Sequence, residues 1–188
     1  DLPGVGLHLH DHVDVVQVMD GPRLYDLFGI SPTGIGRVLR AVQEWRRARS
    51  GMLTTNFAES GGFIKSHPDE PAPDLQLHFV IGKLVDHGRK TVLGHGYSCH
   101  VCLLQPVSRG RVGLASNNPL DLPLVDPNFL GERADMDRMV HGFRRMREIL
   151  AQPALAQFGA RELPSSAAAQ TDVEIEQFIR RYADTIYH

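Results

Sequence analysis

Two apolar runs, the first of period two, followed within a few residues by a glycine turn, constrain this chain's fold more than any other feature. In LQLHFVIGKLV at 75–85, Leu75, Leu77, Phe79 and Ile81 fall on one face, the spacing of a strand that buries one side. Tyr97 to Leu104 is a second apolar run, rich in β-forming residues. Ser108-Arg109-Gly110 then reads as a hairpin turn into a strand from Arg111 to Ser116, the glycine supplying a positive φ. Antiparallel pairing follows from strands that reverse so closely.

Helical periodicity frames these strands. An extended segment, Val13 to Met19, alternates weakly and reads as a strand. Beyond it Val38, Leu39, Val42 and Trp45 recur at helical spacing, with Ser31 or Thr33 as the cap and Gly51 as the stop. Met136, Met139, Val140, Phe143, Met146 and Leu150 form one apolar stripe after Glu132. A last helix opens on the capping box Thr171/Glu174 and lines up Ile175, Phe178, Ile179 and Tyr182. Gly51 to Gly62 and the proline-rich HPDEPAPD at 67–74 read as surface loops. The expected fold class is α+β, an antiparallel β-sheet flanked by helices.

Composition removes several function classes. With 20 Lys+Arg against 22 Asp+Glu in 188 residues, there is no basic footprint for a phosphate backbone, and no nucleic-acid partner is expected. The longest strictly apolar run, Val101 to Leu104, falls far short of the roughly 20 residues that cross a bilayer, so no transmembrane segment is expected. Two cysteines three residues apart cannot staple a domain of this size, which favours a reducing compartment. The expectation is a cytoplasmic protein, or one peripheral to the inner membrane.

Three constellations suggest chemistry. His8, His10 and His12 alternate, and three imidazoles on one strand face would suit zinc and a hydrolase. The segment HLHDH nevertheless lacks the spacer of the pattern H-x-H-x-D-H, and connector histidines bonded to backbone or water are the plainer reading, so no metal is expected. Cys99-His100-Val101-Cys102 matches C-x-x-C, but inside a strand the two sulfurs point to opposite faces and read as inert core thiols. Glycine pairs at Gly4/Gly6, Gly34/Gly36 and Gly94/Gly96 never extend to G-x-G-x-x-G, so a self-contained dinucleotide site is not visible. The methionine stripe is read as core.

Five stretches taken together resemble the glucose–methanol–choline (GMC) family of flavin oxidoreductases. PGVGLHLHDH at 3–12 resembles the family's PGVGxNLQDH, and SGMLTTNFAESGGF at 50–63 resembles SGPLTSNxxEAGGF. GHGYSCHVCLLQPVSRGRVGLASNNPLDLPLVDPNFL at 94–130 and the helix from Glu132 to Gln152 follow in the family's order. ADTIYH at 183–188 resembles the start of TxYHPxGTxxMG. The wording of the strand block is closest to choline dehydrogenase-like and aliphatic alcohol dehydrogenase-like members.

The resemblance implies the substrate-binding portion of an FAD-dependent enzyme, without the Rossmann domain that holds FAD. In that frame residues 1–12 are a connector from the FAD domain, 13–182 the substrate-binding domain, and 183–188 the start of the return segment. The chain is then expected to be a truncated piece, inactive and without FAD when alone. Its implied partners are a small alcohol substrate and the missing FAD domain, with self-association through the exposed inter-domain face. His188 matches the family's first active-site histidine, beside the flavin and the substrate hydroxyl. His8 and His10 stand where the family has Asn and Gln, whereas Asp11 and His12 match and are expected to fix the connector. On the strand, Ser98 and His100 share a face opposite Tyr97 and Cys99, which makes His100 a candidate substrate contact. Two other readings are a stand-alone binding domain derived from the family, and the zinc hydrolase on His8, His10 and His12.

Overall fold

A computed structural model describes residues 2–22 and 28–187. In chain order its elements are β1 (Leu7–Leu9), β2 (Val13–Gly21), β3 (Gly29–Ile30), α1 (Pro32–Ala48), β4 (Ala58–Ile64), β5 (Leu75–Val80), β6 (Gly94–Leu103), β7 (Gly110–Gly113), β8 (Leu124–Asp126), α2 (Arg133–Leu150), α3 (Pro153–Ala156), β9 (Arg161–Glu162), α4 (Pro164–Ala167), α5 (Asp172–Tyr182) and β10 (Asp184–Thr185). The main sheet runs β10-β2-β6-β5-β4, with β3 on β6 and β9 on β2, and β1-β7-β8 form a smaller sheet. Every ladder is antiparallel, which gives the expected α+β architecture.

Period two decides which side of the main sheet meets the helices. Val13, Val15 and Met19 of β2, Tyr97, Cys99, Val101 and Leu103 of β6, and Leu75 and Leu77 of β5 all enter the core. Against them lie the α2 stripe, Met136 through Leu150, and Ile175, Phe178 and Ile179 of α5. At Gly142 a Cβ would stand 2.8 Å from Val101 Cγ2 and 2.9 Å from Leu75 Cδ1. The missing side chain is what lets α2 lie this close to the sheet. Thr171 and Glu174 complete the expected capping box of α5.

Four local expectations are corrected. The segment read as a loop contains β4, an edge strand whose exposed Ala, Ser and Gly residues carry no apolar alternation. No hairpin turn forms at Ser108–Gly110, because Gly110 is already the first residue of β7 and lacks a positive φ, and that strand is shorter than expected and pairs with β1 and β8, not back onto β6. Helix α1 starts on Ser31, whose Oγ accepts the Gly34 amide at 3.0 Å, but it ends at Arg49 in the left-handed region (φ 54°), before Gly51. Its apolar stripe faces outward, with Ile35, Leu39 and Trp45 exposed.

Candidate functional site

The sheet face turned away from α2 carries polar side chains among its valines. β2 and β6 register Asp14 against Cys102 and Val16 against His100, and β5 and β6 register His78 against His100. Asp14, His100 and His78 therefore share this face, together with Ser98 and Cys102. Over it lies the segment between β5 and β6, pinned by Ser98, whose Oγ donates to Gly82 O (2.7 Å) and accepts from Leu84 N (2.8 Å). Lys83 ties the same segment to Asp20 Oδ1 (2.6 Å) and Leu93 O (2.5 Å).

This covering segment delivers a residue that no pattern in its stretch of sequence places here. His87 sits buried over the sheet, its Nδ1 3.5 Å from Asp14 Oδ2 and its Nε2 3.2 Å from Tyr182 O. Asp14 is fully buried, and its Oδ2 accepts from His100 Nδ1 at 2.6 Å. The His87 and His100 rings meet nearly edge to face, centroids 6.1 Å apart. A carboxylate on Nδ1 holds His100 in the tautomer that leaves its Nε2 lone pair free, and that Nε2 is buried without a hydrogen-bond partner. The arrangement is an oriented imidazole that can accept a hydrogen bond or a proton. Beside it, a cavity of about 60 Å³ lined by Val16, Val18, His87, Phe178 and Tyr182 has room for small numbers of waters and is well below the ~300 Å³ of an ordinary ligand pocket.

Asp14, His87 and His100 also form a group of three ligand types whose atoms lie within 4.8 Å of one another. The 2.6 Å contact from Asp14 to His100 is that of a hydrogen bond. Two ligands on one tetrahedral zinc stand roughly 3.3 Å apart at bond lengths of ~2.0–2.1 Å, so the geometry favours a hydrogen bond from His100 to Asp14, with His87 Nδ1 3.5 Å from the same oxygen. His8, His10 and His12 join no such group among the described residues. Strand β1 ends at Leu9 and His8 has a φ of 62°, which breaks the alternation that would have put the three rings on one face.

Strand β10 pairs with β2 beside this group. β10 registers Asp184 against Asp14 and Thr185 against Val13. Thr185 Oγ1 donates to Asp11 Oδ2 at 2.6 Å, which ties Asp11 to β10. His188, the expected catalytic residue, lies outside the described residues. His100, the expected substrate contact, is 5% exposed and points away from the helices.

Cys99 and Cys102 sit on opposite faces, both buried. Burial first, and then the Asp14 carboxylate, push each thiol up to about 12. Thiolate is the reactive form, so neither cysteine is expected to react with Ellman's reagent at pH 8 in the folded protein, while both react in denaturant. Prompt labelling of the folded chain would contradict the strand placement.

Comparison with known proteins follows the same lines. Residues 106–188 match the family model described as GMC oxidoreductase. Over 188 residues the chain is 44% identical to the alcohol dehydrogenase [acceptor] of Pseudomonas putida, covering all of this chain and 34% of that protein. It is 38% identical over 192 residues to the mitochondrial choline dehydrogenase of Mus musculus, covering 31% of it. The chain thus spans about a third of the length of the curated relatives it matches. Among solved structures, the formate oxidase of Aspergillus oryzae RIB40 superposes with a TM-score of 0.80 at 20% identity, over 98% of this chain and 37% of that one. The pyridoxine 4-oxidase from Mesorbium loti gives 0.72 at 20% identity, over 100% and 33%. These likenesses establish the fold.

Proposed function

From membership of the GMC oxidoreductase family, to which this chain belongs, we propose that it is the substrate-side portion of an FAD-dependent enzyme that oxidises a primary alcohol. The observation that carries this reading is the match over the whole chain to an alcohol dehydrogenase and a choline dehydrogenase. On this reading residues 13–182 are the substrate-binding domain, entered through 1–12 and left through 183–188.

The described residues do not fit FAD by themselves. They contain no parallel βαβ unit in which a strand feeds a helix N-terminus, the arrangement that cradles a pyrophosphate. FAD, the hydride acceptor in this chemistry, would be held by residues elsewhere in the longer protein. This chain's own part is to bind the alcohol and handle its proton. Alcohol oxidation removes the hydroxyl proton as hydride leaves carbon, and an imidazole titrating near neutrality suits that task; His188 is assigned this role. His100, oriented by Asp14, is assigned a hydrogen bond to the substrate or to water on the polar sheet face.

Exposed apolar residues support a docking partner. Leu114, Leu120 and Leu122 are each more than 80% exposed, a cluster that favours cover by another domain. The FAD domain is the proposed partner. A second reading, a binding domain that self-associates through this face, draws on the same residues. No described helix is long and apolar enough to cross a membrane, and the cytoplasm is the proposed compartment.

The test is a visible spectrum of the full-length protein and of this chain, each purified without added cofactor. Flavin in the full-length protein that bleaches anaerobically with an alcohol, and no flavin in this chain, is the expected result. A full-length protein that takes up no FAD when it is supplied would overturn the oxidoreductase reading and favour the binding domain.

A further inference from the structure

We propose that the turn from Asp86 to Lys90 is a positioning device for the return segment 183–187, with Arg89 as its positioning residue; this rests on the flavoenzyme reading. The turn reaches both sides of Ala183. His87 Nε2 meets the carbonyl of Tyr182, the last residue of α5, and Arg89 Nη1 donates to Asp184 Oδ2 at 2.5 Å, the first residue of β10. Arg89 is itself held by Asp86 Oδ1 at 2.9 Å. Asp184 is fixed in turn by pairing with Asp14, and Thr185 by Asp11. The segment that runs into His188 is thus located from β2, from the connector and from the turn.

The turn is built at a cost. Asp86, His87 and Gly88 have φ of 53°, 51° and 82°, three successive left-handed residues of which two carry side chains. Such backbone persists only where surrounding contacts overdetermine it. The contacts are present: Ser98 and Lys83 pin the approach, and His87 is buried against Asp14.

Magnitude separates positioning from stability. Arg89 is 52% exposed and Asp184 29%, and exposed ion pairs contribute little to folding. Burial pushes the Asp184 carboxyl up, yet the Arg89 hydrogen bond and the Thr185 amide outweigh it and hold the group below the usual carboxylate range. A bond of small stabilising worth on a strained turn, aimed at the strand that leads to the assigned base, is suited to setting geometry. Reaction rates are sensitive there: a displacement of ~1 Å can cost up to about 100-fold.

The experiment uses the full-length holoenzyme with Arg89→Ala and Arg89→Lys. Arg89→Ala should lower the rate constant of anaerobic flavin reduction by an alcohol, per bound flavin, about tenfold, with FAD content, Tm and KM held near wild type. Arg89→Lys, which keeps a donor for Asp184, should recover most of the loss. Hydrogen exchange should show about tenfold less protection over 184–187 in Arg89→Ala, with β5 and β6 unchanged. An unaltered reduction rate, or a loss fully accounted for by lost FAD or lowered Tm, overturns the proposal. If wild-type enzyme shows no alcohol-dependent bleaching, the flavoenzyme reading falls and the catalytic claim with it. Unchanged exchange over 184–187 would separately overturn the anchoring.

Discussion

In the full-length holoenzyme, His188→Ala is expected to slow anaerobic flavin reduction by an alcohol about 10²–10⁴-fold, the usual worth of a positioned acid–base group, while FAD content stays at the wild-type level. The expectation follows from the proposed role. An alkoxide is the better hydride donor, and without a base the hydroxyl proton has to leave to water. The measurement is a stopped-flow trace of flavin absorbance, with wild type and variant at saturating alcohol. Added imidazole should restore part of the rate, because it supplies the missing proton acceptor in solution. A variant within threefold of wild type would show that the proton goes elsewhere, with His100 as the next residue to replace.

The largest expected loss of stability comes from Asp135→Ala. Asp135 is fully buried in the first turn of α2 and accepts the amides of Val107 (2.9 Å) and Ser108 (2.8 Å) and the Ser108 hydroxyl (2.6 Å). It also pairs with Arg138 at 3.0 Å, and the Ser108 hydroxyl accepts the Glu132 amide at 2.9 Å. One carboxylate thus fastens the exit from β6 to the start of the longest helix. Its removal leaves two amides and a guanidinium short of their acceptor inside the protein, a loss of about 3–5 kcal/mol. Urea unfolding of this chain checks it. Asp135→Asn, which keeps one acceptor oxygen, should fall between the two, and a change under 1 kcal/mol for alanine would mean that water replaces the carboxylate there.

Legibility in the sequence followed local pattern. β5, β6, α2 and α5 were readable because one side of each buries apolar residues at a fixed period, and Thr171 and Glu174 announce a helix start with no tertiary help. β4 was not readable, since an exposed edge strand of Ala58, Ser60, Gly61 and Gly62 has nothing to alternate. The outward stripe of α1 shows the limit of periodicity: it reports that a helix has an apolar side, but not what covers it. In the candidate site, the alternation of β6 is enough to put His100 on the face opposite Tyr97 and Cys99. Asp14 carries a signal of its own, a lone acid inside the apolar run VDVV, where a buried carboxylate requires a partner. His87 carried none, because the segment between β5 and β6 brings it over the sheet from a stretch with no period.

The contact between Asp11 and Thr185, 174 residues apart in sequence, makes the two crossings into and out of the main sheet a single paired neck. Of the strands between them only β7 reaches back past the neck, to pair with β1. Such a unit is portable: exchanged as one block with the equivalent block of another family member, it should keep its own core, so that chimaeras cut at the neck fold where those cut inside β2 or α5 fail. On the proposed function, exchanging alcohol preference between family members takes the whole block, carried with β1 and both sides of the neck.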